Sequence, residues 1–190
     1  MLDAALIVSA DHELNVSAFA VRVAASAGSS LYDAVLAGLC TLRGTRHGGQ
    51  TDLVEQLLDE SGSPRGLRTE VERRLRSGVP VPGFGHPLYP DGDPRARALC
   101  EMVTDACPGS AAAGWARAIE QVGPDRVGEL PTLDTGLVLL RRALHLPRGS
   151  AFLLFALGRS AGWMAHAMEQ YASSQVIRPR ALYSGQSPAL

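Results

Sequence analysis

Residues 78–97 read GVPVPGFGHPLYPDGDPRAR, a loop stiffened by proline and glycine that presents one histidine and runs directly into a helix start. Asp93 followed by Pro94 predicts an N-cap and a first helical residue, because aspartate accepts from the free N–H groups of a helix start and proline lacks a donor there. Arg95 then lies in the first turn, with His86 on the incoming loop. Such donors beside a helix N-terminus favour an anion, so we predict an anion-binding site here.

Hydrophobic residues at helical spacing, interrupted by short breaks, fill the chain on both sides of this loop. Asn15 and Ser30 predict caps for two consecutive helices that end at glycines, and Thr69 with Glu72 has the spacing of a capping box. Alternating strand patterns are almost absent, so we predict an all-α fold built from helices packed on helices. The predicted helices span residues 16–27, 31–43, 51–60, 69–77, 95–107, 111–122, 131–145 and 150–171, and the tail RPRALY (178–183) is predicted to be extended.

The composition is that of an ordinary soluble globular protein. Its 190 residues are 46% hydrophobic and 19% charged, which suffices to bury a core within one or two domains. With a formal net charge of -1, the chain lacks the excess of positive charge that binds nucleic acid, so no nucleic-acid partner is expected. All 18 basic residues are arginines. A genome whose base composition favours arginine codons explains this most simply, although the planar guanidinium of arginine also binds carboxylates better than the ammonium of lysine does.

The three cysteines indicate a reducing compartment. Cys40, Cys100 and Cys107 are odd in number, lack CxxC spacing and lie in apolar helical patterns. We therefore predict buried, reduced thiols and a cytoplasmic protein. The apolar run at the N-terminus is short and contains Asp3, which argues against a signal peptide.

Residues 152–168 form the longest apolar stretch of the chain. It is interrupted by Arg159 and His166 and falls short of the ~20 apolar residues that a membrane span needs, so we predict no membrane span. Arg159 needs an anionic partner, because burying an uncompensated charge in an apolar helix is costly. The partner is either an internal carboxylate in a salt bridge or a bound ligand, and the helix alone leaves both open.

Three histidines, His12, His47 and His86, each lie where a loop meets a predicted helix, as active-site residues carried on rigid elements tend to do. Taken alone, His12 is explained by local hydrogen bonds, and Asp134 by the ordinary preference for an acid at a helix start. No HExxH, CxxC or comparable ligand spacing accompanies the histidines, so we predict no metal site.

Three segments, in this order, resemble the citrate synthase family. They are ADHELNVSAFAVRVAASAGSSLYDAVLAGLCTLRGTRHGG (10–49), PGFGHPLYPDGDPRA (82–96), and LGRSAGWMAHAMEQ with IRPRALY (157–170 and 177–183). Together they cover essentially the whole chain but only the C-terminal half of the usual enzyme. The resemblance implies that residues 1–47 belong to the large domain of that family, that 48–147 form its small domain, and that 148–190 return to the large domain.

The resemblance also implies a reaction, the condensation of acetyl-CoA with oxaloacetate to citrate and CoA. Both partners would be substrates, with no cofactor bound permanently. His47, His86 and Asp134 would carry the chemistry, and the backbone of Pro82, Gly83, Phe84 and Gly85 would lie near the CoA adenine. Oxaloacetate would be held by His12, His86, Arg95 and Arg159, with Arg178 reaching the substrate of a neighbouring subunit.

At three places the sequence differs from the residues most common in the motifs of the family. HGGQT replaces HGGAN, Pro87 replaces an arginine or alanine, and Thr132 replaces an asparagine before the catalytic acid. These changes bear on substrate choice and rate more than on reaction type. The alternatives are a 2-methylcitrate synthase that uses propionyl-CoA and a truncated, non-catalytic module that binds oxaloacetate or CoA. We expect a homodimer, or a complex with a chain that supplies the missing N-terminal half.

Overall fold

The structure is a computed structural model that describes residues 1–182, 184 and 185. Within these residues the chain forms nine α-helices and no β-ladder, which confirms the all-α fold class. A 3₁₀ turn at Pro64–Gly66 precedes α5, and a π turn at Gly123–Val127 follows α7. The helices are α1 (Leu2–Ser9), α2 (Val16–Ser26), α3 (Leu31–Leu42), α4 (Gln50–Ser61), α5 (Leu67–Arg76), α6 (Pro94–Ala106), α7 (Ala111–Val122), α8 (Leu133–Ala143) and α9 (Ser150–Tyr171).

The predicted caps of three helices are formed. The side chain of Asn15 accepts hydrogen bonds from the backbone N–H groups of the first turn of α2. Ser30 accepts from Asp33 N at the start of α3, and Asp93 accepts from Arg95 N at the start of α6. Each of these contacts satisfies a donor that the helix itself leaves unpaired, so these boundaries follow from local sequence.

Helices α5 and α8 depart by two residues from the predicted boundaries, and α8 does so at both ends. α5 begins at Leu67 rather than at Thr69, because Ser63 caps the 3₁₀ turn and that turn continues directly into the helix. Thr69 therefore lies inside the first turn and caps nothing. α8 ends at Ala143, two residues early, and His145 takes a positive φ of 51° just beyond it. The predicted extended tail has no regular structure over residues 178–182, and Tyr183 lies outside the described residues.

Helix α1 was not predicted, and it packs against α9. Two glycines of α9 permit the close approach. A Cβ on Gly158 would meet Leu6 O at 2.6 Å, and one on Gly162 would meet Ala10 O at 2.3 Å. Gly162 N instead donates to Ala10 O at 3.0 Å. This bond fixes the end of α1 and thereby the turn that follows, which carries His12.

The helices pack in two groups. α1, α2 and α3 pack against α9, whereas α4, α6 and α7 pack against α8, with α5 lying on α4 and α7. Contacts of α9 with α8 and α4, and of α1 with α6, join the groups. The division into domains at residues 47 and 147 stays a prediction. Buried apolar side chains from both groups form one continuous core, which includes Leu42, Leu57, Leu58, Leu99, Ile119, Leu137, Leu139, Leu140 and Trp163.

The prediction of three buried thiols is wrong for Cys40, which is exposed. It follows Tyr32 and Leu36 at intervals of four residues along α3, and both of those side chains are exposed as well. The apolar pattern of α3 thus has a second, outward face. Cys100 is buried, and Cys107 is half-buried at the C-terminal end of α6.

No helix among the described residues combines the length and the apolar character that crossing a bilayer requires. α9 has 22 residues and is the longest of those helices, but it carries Arg159, His166 and Glu169.

Candidate functional site

A cavity of about 960 Å³ opens between the two groups of helices. Its walls are the α1–α2 turn, the α3–α4 turn with one face of α4, the loop from Val79 to Leu88, the starts of α6 and α8, and the middle of α9. Most of the predicted site residues line it, and their roles stay predictions. These lining residues are His12, His47, Pro82, Gly83, Phe84, Gly85, His86, Arg95, Asp134 and Arg159.

Backbone hydrogen bonds join the loop that carries His86 to the start of α8. Gly85 N donates to Leu130 O at 2.9 Å, and Thr132 N donates to Gly83 O at 3.0 Å. The hydroxyl of Thr135 adds a bond to Gly83 O at 2.7 Å. Gly83 has a φ of +85°, and a Cβ there would lie 2.4 Å from Thr135 Oγ1. Only glycine fits that conformation and that contact.

Asp93 connects the starts of α6 and α8 and also pairs with Arg95. Its Oδ1 accepts from the backbone N of Arg95 at 3.0 Å and from its Nε at 2.9 Å. Its Oδ2 accepts from Arg95 Nη2 at 2.8 Å and from Leu133 N at 3.0 Å. The sequence predicted only the cap. In the structure Arg95 is bound on two nitrogens by a buried carboxylate, and its Nη1 remains for a ligand.

His12 and His86 lie side by side with Tyr89. The two imidazole rings are 5.1 Å apart between centroids, and His12 Nε2 is 2.9 Å from the hydroxyl of Tyr89. Burial, then the charge of Arg95, lowers the pKa of His12 to about 4 and also lowers that of His86. Leu88 N donates to His86 Nδ1 at 3.2 Å, so the proton of the neutral ring lies on Nε2.

His47 belongs to a hydrogen-bond network with Ser17. Its Nε2 lies 2.9 Å from the hydroxyl of Ser17, which accepts from Trp163 Nε1 at 3.0 Å and donates to Asn15 Oδ1 at 2.7 Å. Burial, and to a smaller extent the charge of Arg159, lowers the pKa of His47 to about 4. The ring is therefore neutral at pH 7 and is held in one orientation.

Arg159 is a buried cation without an anionic partner among the described residues. The residue is 1% exposed, and its Nε donates to Ser9 O at 2.8 Å. Both terminal nitrogens are buried without a hydrogen bond, and the guanidinium lies 5.2 Å from the centre of the Phe155 ring. Burial, then the charge of Arg95, lowers its pKa to about 10, so the side chain stays charged at pH 7. Among the described residues, Arg159 therefore forms no internal salt bridge.

Asp134 is a carboxyl group with little compensation for its charge. Its Oδ1 is buried without a hydrogen bond, although the residue as a whole retains some exposure, and its Oδ2 lies 3.5 Å from the hydroxyl of Thr132. Burial raises the pKa of Asp134 to about 7. A carboxyl with that pKa takes up and releases a proton near neutral pH, which is what a general base must do.

A second polar chain holds the turn that carries His12. Arg22 Nε donates to His166 Nδ1 at 2.9 Å. Nδ1 is therefore unprotonated, and the ring proton lies on Nε2, which faces Asp11 Oδ1 at 3.3 Å. Asp11 directly precedes His12, so α9 fixes this turn through a side-chain bond as well as through the backbone.

Four side chains of the site were not predicted to take part in it. Phe155 lies one helical turn before Arg159, and Tyr89 belongs to the loop itself, so spacing could have indicated both. Ser17 and Trp163 had no such signal, because they are 146 residues apart in sequence. Arg178 is exposed and does not line the cavity.

The sequence of the chain is similar to that of known proteins. Residues 1–180 match the family model described as citrate synthase, C-terminal domain. The chain is 34% identical to citrate synthase 2 of Bacillus subtilis over 184 residues, which are 95% of this chain and 50% of that protein. It is 35% identical to the citrate synthase of Haloferax volcanii over 188 residues. The chain thus spans about half the length of the curated relatives it matches.

Solved structures give a similar result. Citrate synthase from Thermotoga maritima superposes with a TM-score of 0.87 at 32% identity, over 99% of this chain and 53% of that one. The citrate synthase from Thermoplasma acidophilum, solved as a ternary complex with carboxymethyl coenzyme A and oxaloacetate, superposes with a TM-score of 0.85 at 30% identity, over 99% of this chain and 52% of that one. Citryl-CoA lyase from Hydrogenobacter thermophilus gives 0.84 at 25% identity, over 98% of this chain and 77% of that one.

Proposed function

This chain belongs to the citrate synthase family, and we propose that its cavity binds oxaloacetate and an acyl-CoA and condenses them to citrate and CoA. The observation that carries the proposal is Arg159, a buried cation whose two terminal nitrogens have no partner. A carboxylate with two oxygens satisfies both nitrogens in the fork geometry that arginine prefers. Oxaloacetate has two carboxylates, and the free Nη1 of Arg95 is the second donor.

The first chemical step removes a proton from the methyl group of acetyl-CoA. Asp134 is the base, since its pKa of about 7 keeps it basic enough to accept a carbon-bound proton while about half of it is ionised at neutral pH. His47 donates to the thioester oxygen. For this, Ser17 must turn its one hydroxyl proton from Asn15 Oδ1 to His47 Nε2, which leaves the proton of the neutral ring on Nδ1 for the bond to the thioester.

The second step joins the two substrates. The enol carbon attacks the ketone carbon of oxaloacetate, and the ketone oxygen becomes an alkoxide. His86 polarises that ketone through Nε2–H and passes this proton to the alkoxide, giving citryl-CoA, and the proton that Asp134 took from the methyl group restores the ring by way of solvent. Water then cleaves the thioester bond of citryl-CoA to release citrate and CoA. Neutral rings suit both roles, because a charged His86 would be repelled by Arg95 and a charged His47 by Arg159.

The acyl-CoA lies along the outer part of the cavity, against the backbone of residues 82–85. We propose acetyl-CoA as the acyl donor and propionyl-CoA, which would give 2-methylcitrate, as the alternative. Both are substrates, and the mechanism uses no permanently bound cofactor. The Thermoplasma acidophilum complex, in which a relative holds a CoA analogue with oxaloacetate, supports the pairing of these two ligands.

We further propose that the chain acts as an assembly, either as a homodimer or with a chain that supplies the half its relatives possess in addition. Apolar side chains on the outward faces of α2 and α3 support this, because a surface of this kind favours association. They are Phe19 and Val23 on α2 and Tyr32 and Leu36 on α3. In this arrangement α1 to α3 with α9 form the large-domain part, and α4 to α8 form the small domain.

The decisive experiment measures thiol release from acetyl-CoA with and without oxaloacetate, using the chain together with any companion chain. Asp134→Asn should lower turnover by on the order of a hundredfold or more, because it removes the base. Its oxaloacetate affinity, measured by calorimetry, should stay close to wild type. Asp105→Asn, an equal change at an exposed position of α6, is the matched control and should leave turnover unchanged.

Two outcomes contradict this proposal. Oxaloacetate binding without any thiol release above background would make the chain a binding module. The reverse reaction alone, cleavage of citryl-CoA to acetyl-CoA and oxaloacetate, is the second candidate. It is favoured by the citryl-CoA lyase of Hydrogenobacter thermophilus, of which this chain covers 77%, a larger share than of the full-length synthases. Supplying citryl-CoA and measuring oxaloacetate against citrate separates lyase from synthase.

A further inference from the structure

Five arginines line the cavity, and three of them are neutralised by carboxylates. Arg73 and Arg74 both pair with Glu70 and lie within ion-pair distance of Glu60. Arg95 pairs with Asp93. The two arginines that remain, Arg46 and Arg159, have no carboxylate within 4.0 Å among the described residues. The cavity thus has one uncommitted cation at its buried end and one near its mouth.

Arg46 is exposed and lies in the tight turn between α3 and α4, directly before His47. Backbone bonds from His47 N and Gly49 N to Gly44 O close this turn, so the position of Arg46 is set by the turn rather than by its own side chain. The other carboxylates that line the cavity, Glu13 and Asp134, form no ion pair with it. Its guanidinium is therefore free to bind a ligand.

Neither wall of the outer cavity offers another free cation. The loop from Val79 to Asp93 contains no arginine or lysine and has two aspartates, and α4 contains no basic residue. Arg73 and Arg74, near the distal end of α4, are compensated by Glu60 and Glu70. An anionic group in the outer cavity consequently has Arg46 as its one uncompensated partner within the described chain.

We propose that Arg46 binds the phosphates of the CoA substrate and so determines the preference of the site for CoA thioesters over uncharged thioesters. The inference rests on the proposed function, since it takes the ligand of the outer cavity to be an acyl-CoA. Arginine suits the role because its planar fork pairs with phosphate oxygens on two nitrogens. Arg159 is not available for the phosphates, because the carboxylate of oxaloacetate occupies it.

The test measures binding of acetyl-CoA by calorimetry to the wild-type chain and to Arg46→Gln, in the presence of oxaloacetate. Hydrogen bonds to charged groups contribute enough that losing the guanidinium should weaken acetyl-CoA binding about tenfold. Affinity for oxaloacetate should be unchanged. Arg117→Gln, which removes an exposed arginine of α7 outside the cavity, gives the same change in net charge and should have no effect.

A second ligand identifies the group that Arg46 contacts. S-acetylpantetheine has the thioester and the arm of CoA but no phosphate, and ligand-observed NMR detects its weak binding at millimolar concentration. Arg46→Gln should bind it as the wild type does. Equal losses for both thioesters, or no loss for acetyl-CoA, would overturn the role of Arg46 while leaving the proposed function intact. A wild-type chain that binds no acetyl-CoA at all would contradict both.

Discussion

Two places in this molecule hold buried arginines, and they differ in whether carboxylates pair with them. Between α4 and α8, the buried carboxylate of Glu55 lies 2.7 Å from Arg141 Nε and 2.8 Å from Arg142 Nη2. Asp59 gives Arg142 a second carboxylate. In the cavity, Arg159 is more deeply buried than either of these arginines but donates only to one backbone carbonyl. The first is a closed set of charges, in which carboxylates compensate the arginines. The second is an open set, in which the arginine has no carboxylate among the described residues.

Under the proposed function, this difference separates residues that stabilise the fold from residues that bind a ligand. A buried ion pair costs a great deal when one partner is removed, because the remaining charge has nothing to compensate it. A buried charge that already lacks a partner imposes that cost on the empty protein, so removing it should relieve the fold. The same type of substitution should therefore change stability in opposite directions in the two places.

The largest effect is expected at Glu55. Glu55→Gln removes the charge that compensates two arginines, and it should lower the free energy of unfolding by about 3 kcal/mol. This is the low end for a buried pair, because both arginines keep some exposure and Arg142 keeps Asp59. Urea denaturation at pH 7 measures the loss. A variant as stable as the wild type would mean that this cluster does not stabilise the fold.

Asp134→Asn should have the opposite sign, and its size should depend on pH. A carboxyl whose pKa rises on folding from 3.8 to about 7 takes up protons as the chain folds, so stability falls as pH rises through that window. A shift of that size corresponds to at most about 4 kcal/mol, and the partial exposure of the residue reduces it to about 2. The variant should match the wild type at pH 4 and exceed it at pH 8. Parallel denaturation curves at the two pH values check this, and a constant difference would contradict it.

Arg159→Met should leave the empty protein unchanged or more stable by up to about 1 kcal/mol, because the lost bond to Ser9 O is offset by removal of an uncompensated charge. Oxaloacetate binding should disappear. Thermal unfolding without and with oxaloacetate measures both, since a ligand that binds only the folded state raises the melting temperature. A large loss of stability in the absence of ligand would mean that Arg159 serves the fold.

The smallest effect is expected at Arg68, which pairs with Glu72 and Asp125 on the surface. Exposed ion pairs gain little, so Arg68→Gln should change the free energy of unfolding by no more than about 0.5 kcal/mol. The same denaturation assay supplies the measurement. This variant sets the baseline for the comparison, and a loss as large as that of Glu55→Gln would remove the distinction between closed and open sets of charges.

Local sequence predicted the parts of this structure that depend on local physics. Asn15, Ser30 and Asp93 cap helices because their partners lie within three residues, and the helical spacing of apolar residues fixed most of the remaining elements. The resemblance to the citrate synthase family, rather than periodicity, indicated which polar residues share the cavity. Helical spacing alone left two partners possible for Arg159, an internal carboxylate or a bound ligand.

The contacts that were not predicted join residues far apart in the chain. Asp93 accepts from Leu133 N, 40 residues away, and the hydroxyl of Ser17 accepts from Trp163. Neither pattern is visible in a window of sequence, because each depends on how helices from different parts of the chain pack. Cys40 shows the complementary error, since an apolar stretch does not say which of its faces is covered.

The bonds between the His86 loop and the start of α8 also bear on motion. Gly83 and Gly85 tie the loop to α8, and Asp93 ties α6 to the same place, so His86, Arg95 and Asp134 should move as one rigid body. His12 and Arg159 belong to a second body, in which α1 is bonded to α9. Opening the cavity would then separate the two bodies without changing distances inside either one. The proposed base would keep its distance from the histidine proposed to polarise the ketone through every opening and closing, whereas the bond of His12 to Tyr89 and the contact of Arg159 with a carboxylate would be made and broken.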